Sequence, residues 1–157
     1  MDTFEIQNVV KMDALVENIF LDVFSADNLP TKKIEQDVWF LIVNCCPSHL
    51  PGLHWLALFG DCGNIEFFDS YGGSPRAYDF IIDFLQNQRP DVVQYNAIRL
   101  QEVDSYACGY FVLLFGFMRS RRWTLLQIVD CLRAIKFQNS TTFDIFLKQL
   151  VLILYSK

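Results

Sequence analysis

The sequence predicts an α+β domain, on three observations. Strand-like segments cluster in the middle of the chain, helix-like segments lie mainly toward its two ends, and the longest apolar run is hydrophobic on every side. The predicted order is helix, three strands, helix, strand, then three helices. That is not the regular alternation of a doubly wound sheet. At 157 residues the chain reads as one domain, residues 1–157, long enough to bury a sizeable core.

Each element has its own reason. Apolar residues at helical spacing predict an amphipathic helix over Val9–Phe24, ended by the turn residues of "SADNLP". "DVWFLIVNCC" (Asp37–Cys46) is β-branched and aromatic and reads as a buried strand, with "PSHLPG" as a loop. "HWLALFGDCGNIEFFDSYGG" reads as strands His54–Phe59 and Asn64–Asp69, joined by the turn residues Gly60–Gly63. Arg76–Gln88 is predicted helical, with Tyr78, Ile81, Ile82 and Leu85 on one face. "NAIRLQE" is short and strand-like. "CGYFVLLFGFMRS" predicts a helix buried at the centre of the fold. Thr124 with Gln127 resembles a capping box and opens a helix to about Ile135, and "TTFDIFLKQLVLILYS" closes the chain as the last helix.

Composition narrows the function. Hydrophobic residues make up 52% and aromatics 15%, so the chain is globular rather than disordered. The formal charge of −5 argues against a nucleic-acid or membrane surface, since "RSRR" and Lys32-Lys33 are only small basic spots. The charged N-terminus does not read as a signal peptide, and no uncharged run approaches the ~20 residues that span a bilayer. The expectation is a soluble intracellular protein. Its five irregularly spaced cysteines are predicted to be free thiols.

The remaining question is why Cys108, followed by Gly109, stands at the mouth of the apolar helix. Backbone N–H groups point outward at a helix start and favour a thiolate. His54 and His49 are the only histidines, and an imidazole beside a thiol can take its proton. The predicted hairpin brings Asp69 near His54, where it would orient the ring. Gln101 ends the strand-like stretch before Cys108. Its amide, with the Cys108 backbone N–H, could receive an oxyanion. Gly109 removes a side chain where a substrate or another backbone must approach closely. Every one of these residues also has a plain structural explanation. Cys108 suits a small buried site, His54 a half-buried strand start, and Asp69 a turn. It is the set that points to thiol chemistry.

In "GLHWLALF", "IEFFDSYG" and "YNAIRLQEVDSYACGYF", and more loosely "VFSADNLP", the chain resembles the papain-like proteases with the order His, acid, Gln, Cys. It is most similar to the adenain (adenovirus endopeptidase) family and its relatives in Maverick/Polinton elements and related viruses. The resemblance implies a circularly rearranged papain-like fold, with a central sheet packed on a buried Cys-bearing helix. It implies Cys108 as nucleophile, His54 as base, Asp69 as its orienting acid and Gln101 as oxyanion donor. Trp55 would wall a narrow substrate cleft beside Gly109, suited to glycine-rich cleavage sites. The implied partners are viral or transposon capsid and core precursors, processed in the host nucleus or cytoplasm and in the virion.

The adenovirus enzyme of that family is activated by DNA and by a peptide joined through a disulfide. This acidic chain has no cysteine between Cys62 and Cys108, which speaks against both and leaves room for a non-covalent peptide. No cofactor is predicted. The rival readings are a ubiquitin-like-protein deconjugase of the Ulp/sentrin type and a non-catalytic capsid-associated copy of the fold. Cys45, Cys46, His49, His54 and Cys62 cluster in sequence. Adjacent strand cysteines face opposite sides and paired Cys-x₂-Cys spacing is missing, so no metal site is predicted.

Overall fold

The fold is a five-stranded mixed sheet sandwiched between helices, seen in a computed structural model that describes residues 1–138 and 143–156. The elements in chain order are α1 (Thr3–Val10), α2 (Ala14–Glu17), β1 (Phe20–Ser25), β2 (Val38–Asn44), β3 (Trp55–Asp61) and β4 (Asn64–Phe68). A 3₁₀ turn (Pro75–Ala77) precedes α3 (Asp79–Gln88), followed by β5 (Val93–Tyr95), α4 (Cys108–Ser120), α5 (Leu125–Gln138) and α6 (Phe143–Tyr155). The strands lie side by side in chain order, with β2, β3 and β4 antiparallel and both edge strands added in parallel.

Strand periodicity explains the layers. On β2, Phe40 and Ile42 join the core shared with α1, α4, α5 and α6, whereas Trp39, Leu41 and Val43 join the core under α3. Successive side chains point to opposite faces, and both faces are covered, so the strand reads as an unbroken apolar run. The β3–β4 turn is two residues long. Asp61 pairs with Asn64, and Cys62 and Gly63 both take positive φ, +47° and +89°, as a tight right-twisting hairpin requires.

α4 lies against β3, with every residue from Phe111 to Gly116 buried. Its far end is tied down by Arg119, whose Nε sits 2.9 Å from Glu66 Oε2 and whose guanidinium stacks over the Phe59 ring. Gly116 lets the helix approach the sheet, because a Cβ there would run into the Phe40 ring. Phe40 is fully buried and packed against Phe20 and Phe115, so it cannot swing aside. Gly116→Val is expected to destabilise the protein by about 2 kcal/mol or more, read as a lower urea midpoint.

Three expectations are corrected. The predicted Val9–Phe24 helix is two short helices and an edge strand. Asp13 caps α2 through Leu15 and Val16 N–H, breaking the helix, and Phe20–Ser25 then pairs with β2, where sheet pairing outweighs helical spacing. "NAIRLQE" is not a strand; β5 precedes it at Val93–Tyr95, and the N–H groups of Leu100 and Gln101 both donate to Ser70 O. The helix predicted from Arg76 begins at Asp79, after the 3₁₀ turn. Of the predicted last helix, Thr141 and Thr142 lie outside the described residues. Among the described residues no helix is long and apolar enough to cross a membrane.

Candidate active site

His54 immediately precedes β3, and Asp69 immediately follows β4. The hairpin register, Ala57 opposite Phe68, brings the two to the same end of the sheet, and His54 Nε2 lies 2.8 Å from Asp69 Oδ1. The ring's second nitrogen is left for Cys108, the first residue of α4, whose thiol is electrostatically linked to His54. The structure therefore joins three residues from a strand start, a strand end and a helix start.

The Asp69 carboxylate is 1% exposed and is held by four donors. Oδ1 takes His54 Nε2 and the Tyr71 N–H (2.8 Å), and Oδ2 takes the Tyr78 hydroxyl (2.9 Å) and the Gly73 N–H (3.1 Å). Its backbone is held too. Asn96 Oδ1 accepts from the Asp69 N–H at 2.9 Å, and Asn96 Nδ2 donates to Asp69 O. Asp69 is thus both the turn residue and the histidine's partner. Gly72, at φ +74°, permits this turn to lie on the following loop, since a Cβ there would sit 2.6 Å from the Ile98 carbonyl carbon.

The charges favour an ion pair. Burial alone would raise the Asp69 pKa, but hydrogen bonds from His54 and Tyr71 hold it below the ordinary carboxylate value. Burial likewise opposes an imidazolium, yet hydrogen bonds to Asp69 and Cys108 push His54 up to about 9. For Cys108, burial favours the thiol, and hydrogen bonds from His54 and from the Trp55 and Gly109 backbone N–H groups outweigh it, lowering the pKa. The helix start contributes here because Ala107, its N-cap, offers no side-chain cap.

Gln101 is fully buried beside this group, and its amide is occupied. Oε1 accepts from Ser70 Oγ at 2.6 Å, and Nε2 donates to Ser105 O at 2.7 Å and to the Tyr71 hydroxyl at 3.3 Å. A cleft of about 890 Å³ opens in front of Cys108, with Trp55, Tyr71, Tyr106 and the β1 edge among its walls. Trp55 is anchored by its indole N–H donating to Met1 O. Met1 also fills the space in front of Gly109, where a Cβ would fall 2.9 Å from its Sδ. His49 is exposed in the loop before β3. Among the described residues no group of His, Cys, Asp and Glu could hold a metal ion.

Sequence reasoning assigned no role to Ser70, Tyr71, Tyr78 or Asn96. Tyr71 stacks on His54 with ring centroids 4.7 Å apart. Ser70, Tyr71 and Asn96 do fall within the segments "IEFFDSYG" and "YNAIRLQEVDSYACGYF", where their closeness to Asp69 and Gln101 was the available signal. Tyr78 carried none, because it reaches the site from the opposite layer.

No protein-family model matches the chain, and no curated protein does. Among solved structures it is similar to the ASFV pS273R protease, with a TM-score of 0.56 and 18% identity over 82% of this chain and 60% of that one. A selenomethionine structure of the same protease overlaps less, at a TM-score of 0.42 and 24% identity over 59% of this chain and 38% of that one. The chain spans about three-fifths of that protease's length. What it shares with the ASFV enzyme is the fold, which in this chain is a mixed α+β architecture around a five-stranded sheet.

Proposed function

We propose that this chain is a cysteine endopeptidase that processes viral or transposon-encoded capsid and core precursors, an adenain-like enzyme of the Maverick/Polinton kind on a circularly rearranged papain-like fold. The observation that carries this is the Asp69–His54 hydrogen bond with Cys108 electrostatically linked to His54 at the start of a buried helix beside an open cleft. The fold shared with a protease adds support. The Cys108 thiolate attacks a peptide carbonyl. The oxyanion rests against the Cys108 N–H and Gln101, and the His54 imidazolium protonates the leaving amine. Water then hydrolyses the thioester, with His54 as its base. Trp55 lines the substrate path and favours small residues at the cleaved bond, while Met1 occupies the space in front of Gly109, which is not among the cleft's lining residues.

The test is a peptide library incubated with the protein and read by mass spectrometry. Cleavage next to glycine or other small residues is expected, and Cys108→Ala should abolish it. The rate should rise as Cys108 ionises below its ordinary value of 9.0 and fall above about 9, where His54 loses its proton. Full cleavage by Cys108→Ala would sink the assignment. Reaction with a ubiquitin-like-protein probe in preference to peptides would move it to a deconjugase.

A further inference from the structure

We propose that Tyr78 is a positioning residue for this site: its hydroxyl, carried at the threshold of α3, holds Asp69 as the carboxylate that orients His54. The inference rests on the protease reading and adds a residue from a part of the fold that reading does not use. α3 packs on the sheet face opposite α4, so Tyr78 ties the second core to the thiol site.

The geometry is specific. Asp69 Oδ2 has two donors, and the Tyr78 hydroxyl at 2.9 Å is the shorter; the other is the Gly73 N–H at 3.1 Å. The carboxylate is 1% exposed, so water is poorly placed to replace a lost donor. The Tyr78 ring is held by neighbours on both sides, Phe67 at 5.9 Å and Phe80 at 5.7 Å between centroids, which fixes where its hydroxyl points. Its Cα–Cβ bond belongs to the α3 N-cap, whose backbone N–H bonds Pro75 O, so the backbone is fixed as well.

The charged and titratable groups around this contact agree with a permanent donor. Tyr78 faces Asp69 and, from the end of β2, Cys45. Burial and the Asp69 charge keep the phenol protonated far into alkaline pH, and burial pushes the Cys45 thiol up to about 11. Asp69 faces His54 and Tyr71 besides Tyr78. Tyr71 in turn senses Cys108, Asp69, Arg99 and Asp144. Near neutral pH, then, Tyr78 remains a neutral donor facing an ionised Asp69.

The experiment is the rate of Cys108 alkylation by iodoacetamide from acid to alkaline pH, located by peptide mass mapping, in wild type, Tyr78→Phe and Phe80→Leu. Tyr78→Phe keeps the ring and deletes one hydrogen bond to a carboxylate. A less firmly held Asp69 supports the His54 imidazolium less well, so Cys108 ionises less readily and the acid limb of the profile should move up by about one pH unit. Phe80→Leu loosens the same packing but keeps the hydroxyl, and its limb should stay with wild type. An unmoved limb in Tyr78→Phe, or an equal shift in Phe80→Leu, overturns the positioning role while leaving the protease reading intact. A wild-type Cys108 that reacts as an ordinary thiol sinks the protease reading, and this inference with it.

Discussion

Removal of the imidazole in His54→Ala is expected to slow peptide cleavage by about 10⁴-fold or more, because one side chain supplies both the base and the acid of the reaction. Cys108 reactivity should fall with it. Without His54, the burial of Cys108 is opposed only by the Trp55 and Gly109 N–H groups, and the thiol returns toward or above its ordinary value. A thiol with a pKa of ~8.5 is about 0.3% ionised at pH 6, and its thiolate is more nucleophilic when formed, so alkylation at pH 6 should drop by at least about tenfold. The gap should close as pH rises and both thiols ionise. Folding should survive, because Asp69 keeps three of its four donors: Tyr71 N–H, Gly73 N–H and the Tyr78 hydroxyl. The stability difference between the two proteins has a definite sign. His54 is raised from 6.5 to about 9, so its contribution is complete below 6.5 and is lost as pH climbs through about 9. Urea unfolding of both proteins at several pH values measures it.

The parts of this site that could be read from the chain are those fixed by local chemistry. The thirteen-residue run beginning at Cys108 has no proline and no charge before its last turn, so a buried helix was its simplest state, and α4 has those bounds. Asp61 to Asn64 holds a cysteine and a glycine between two apolar strands, which fixes the hairpin and through it the meeting of His54 with Asp69. Contacts between distant segments were not legible. "FLDVF" fits a helix and a strand equally well; only the edge of β2, some twenty residues on, decides for the strand. The stretch before Cys108 alternates like a strand, yet the N–H groups of Leu100 and Gln101 both go to a single carbonyl, Ser70 O. That choice buries Gln101 rather than leaving it on a sheet edge. Tyr78 was visible only as one member of an apolar helix face. Its hydroxyl acquires meaning once α3 is laid across the sheet, where its ring meets Phe67 and its oxygen meets Asp69.

Gln101→Ala should separate the two halves of catalysis. Alkylation of Cys108 by iodoacetamide needs the thiolate and forms no oxyanion, whereas peptide cleavage needs both. If Gln101 donates to the tetrahedral intermediate, its loss should lower the cleavage rate by about 10²–10³-fold and leave the alkylation profile near wild type. The structure sets a condition on that role. Both Nε2 hydrogens are engaged, one strongly by Ser105 O at 2.7 Å and one weakly by the Tyr71 hydroxyl at 3.3 Å. The weaker bond is the one an oxyanion would replace, since a charged acceptor outcompetes a long neutral one. Tyr71 can release it, because its hydroxyl also faces Ser105 O at 3.4 Å. Ser105 O is different: it belongs to the loop that delivers Cys108, and the Ser105 hydroxyl accepts from the Ala107 N–H. Gln101 therefore also braces the nucleophile's approach. A variant in which alkylation and cleavage fall together would assign Gln101 to that bracing alone, and cleavage unchanged by the substitution would remove it from the oxyanion site.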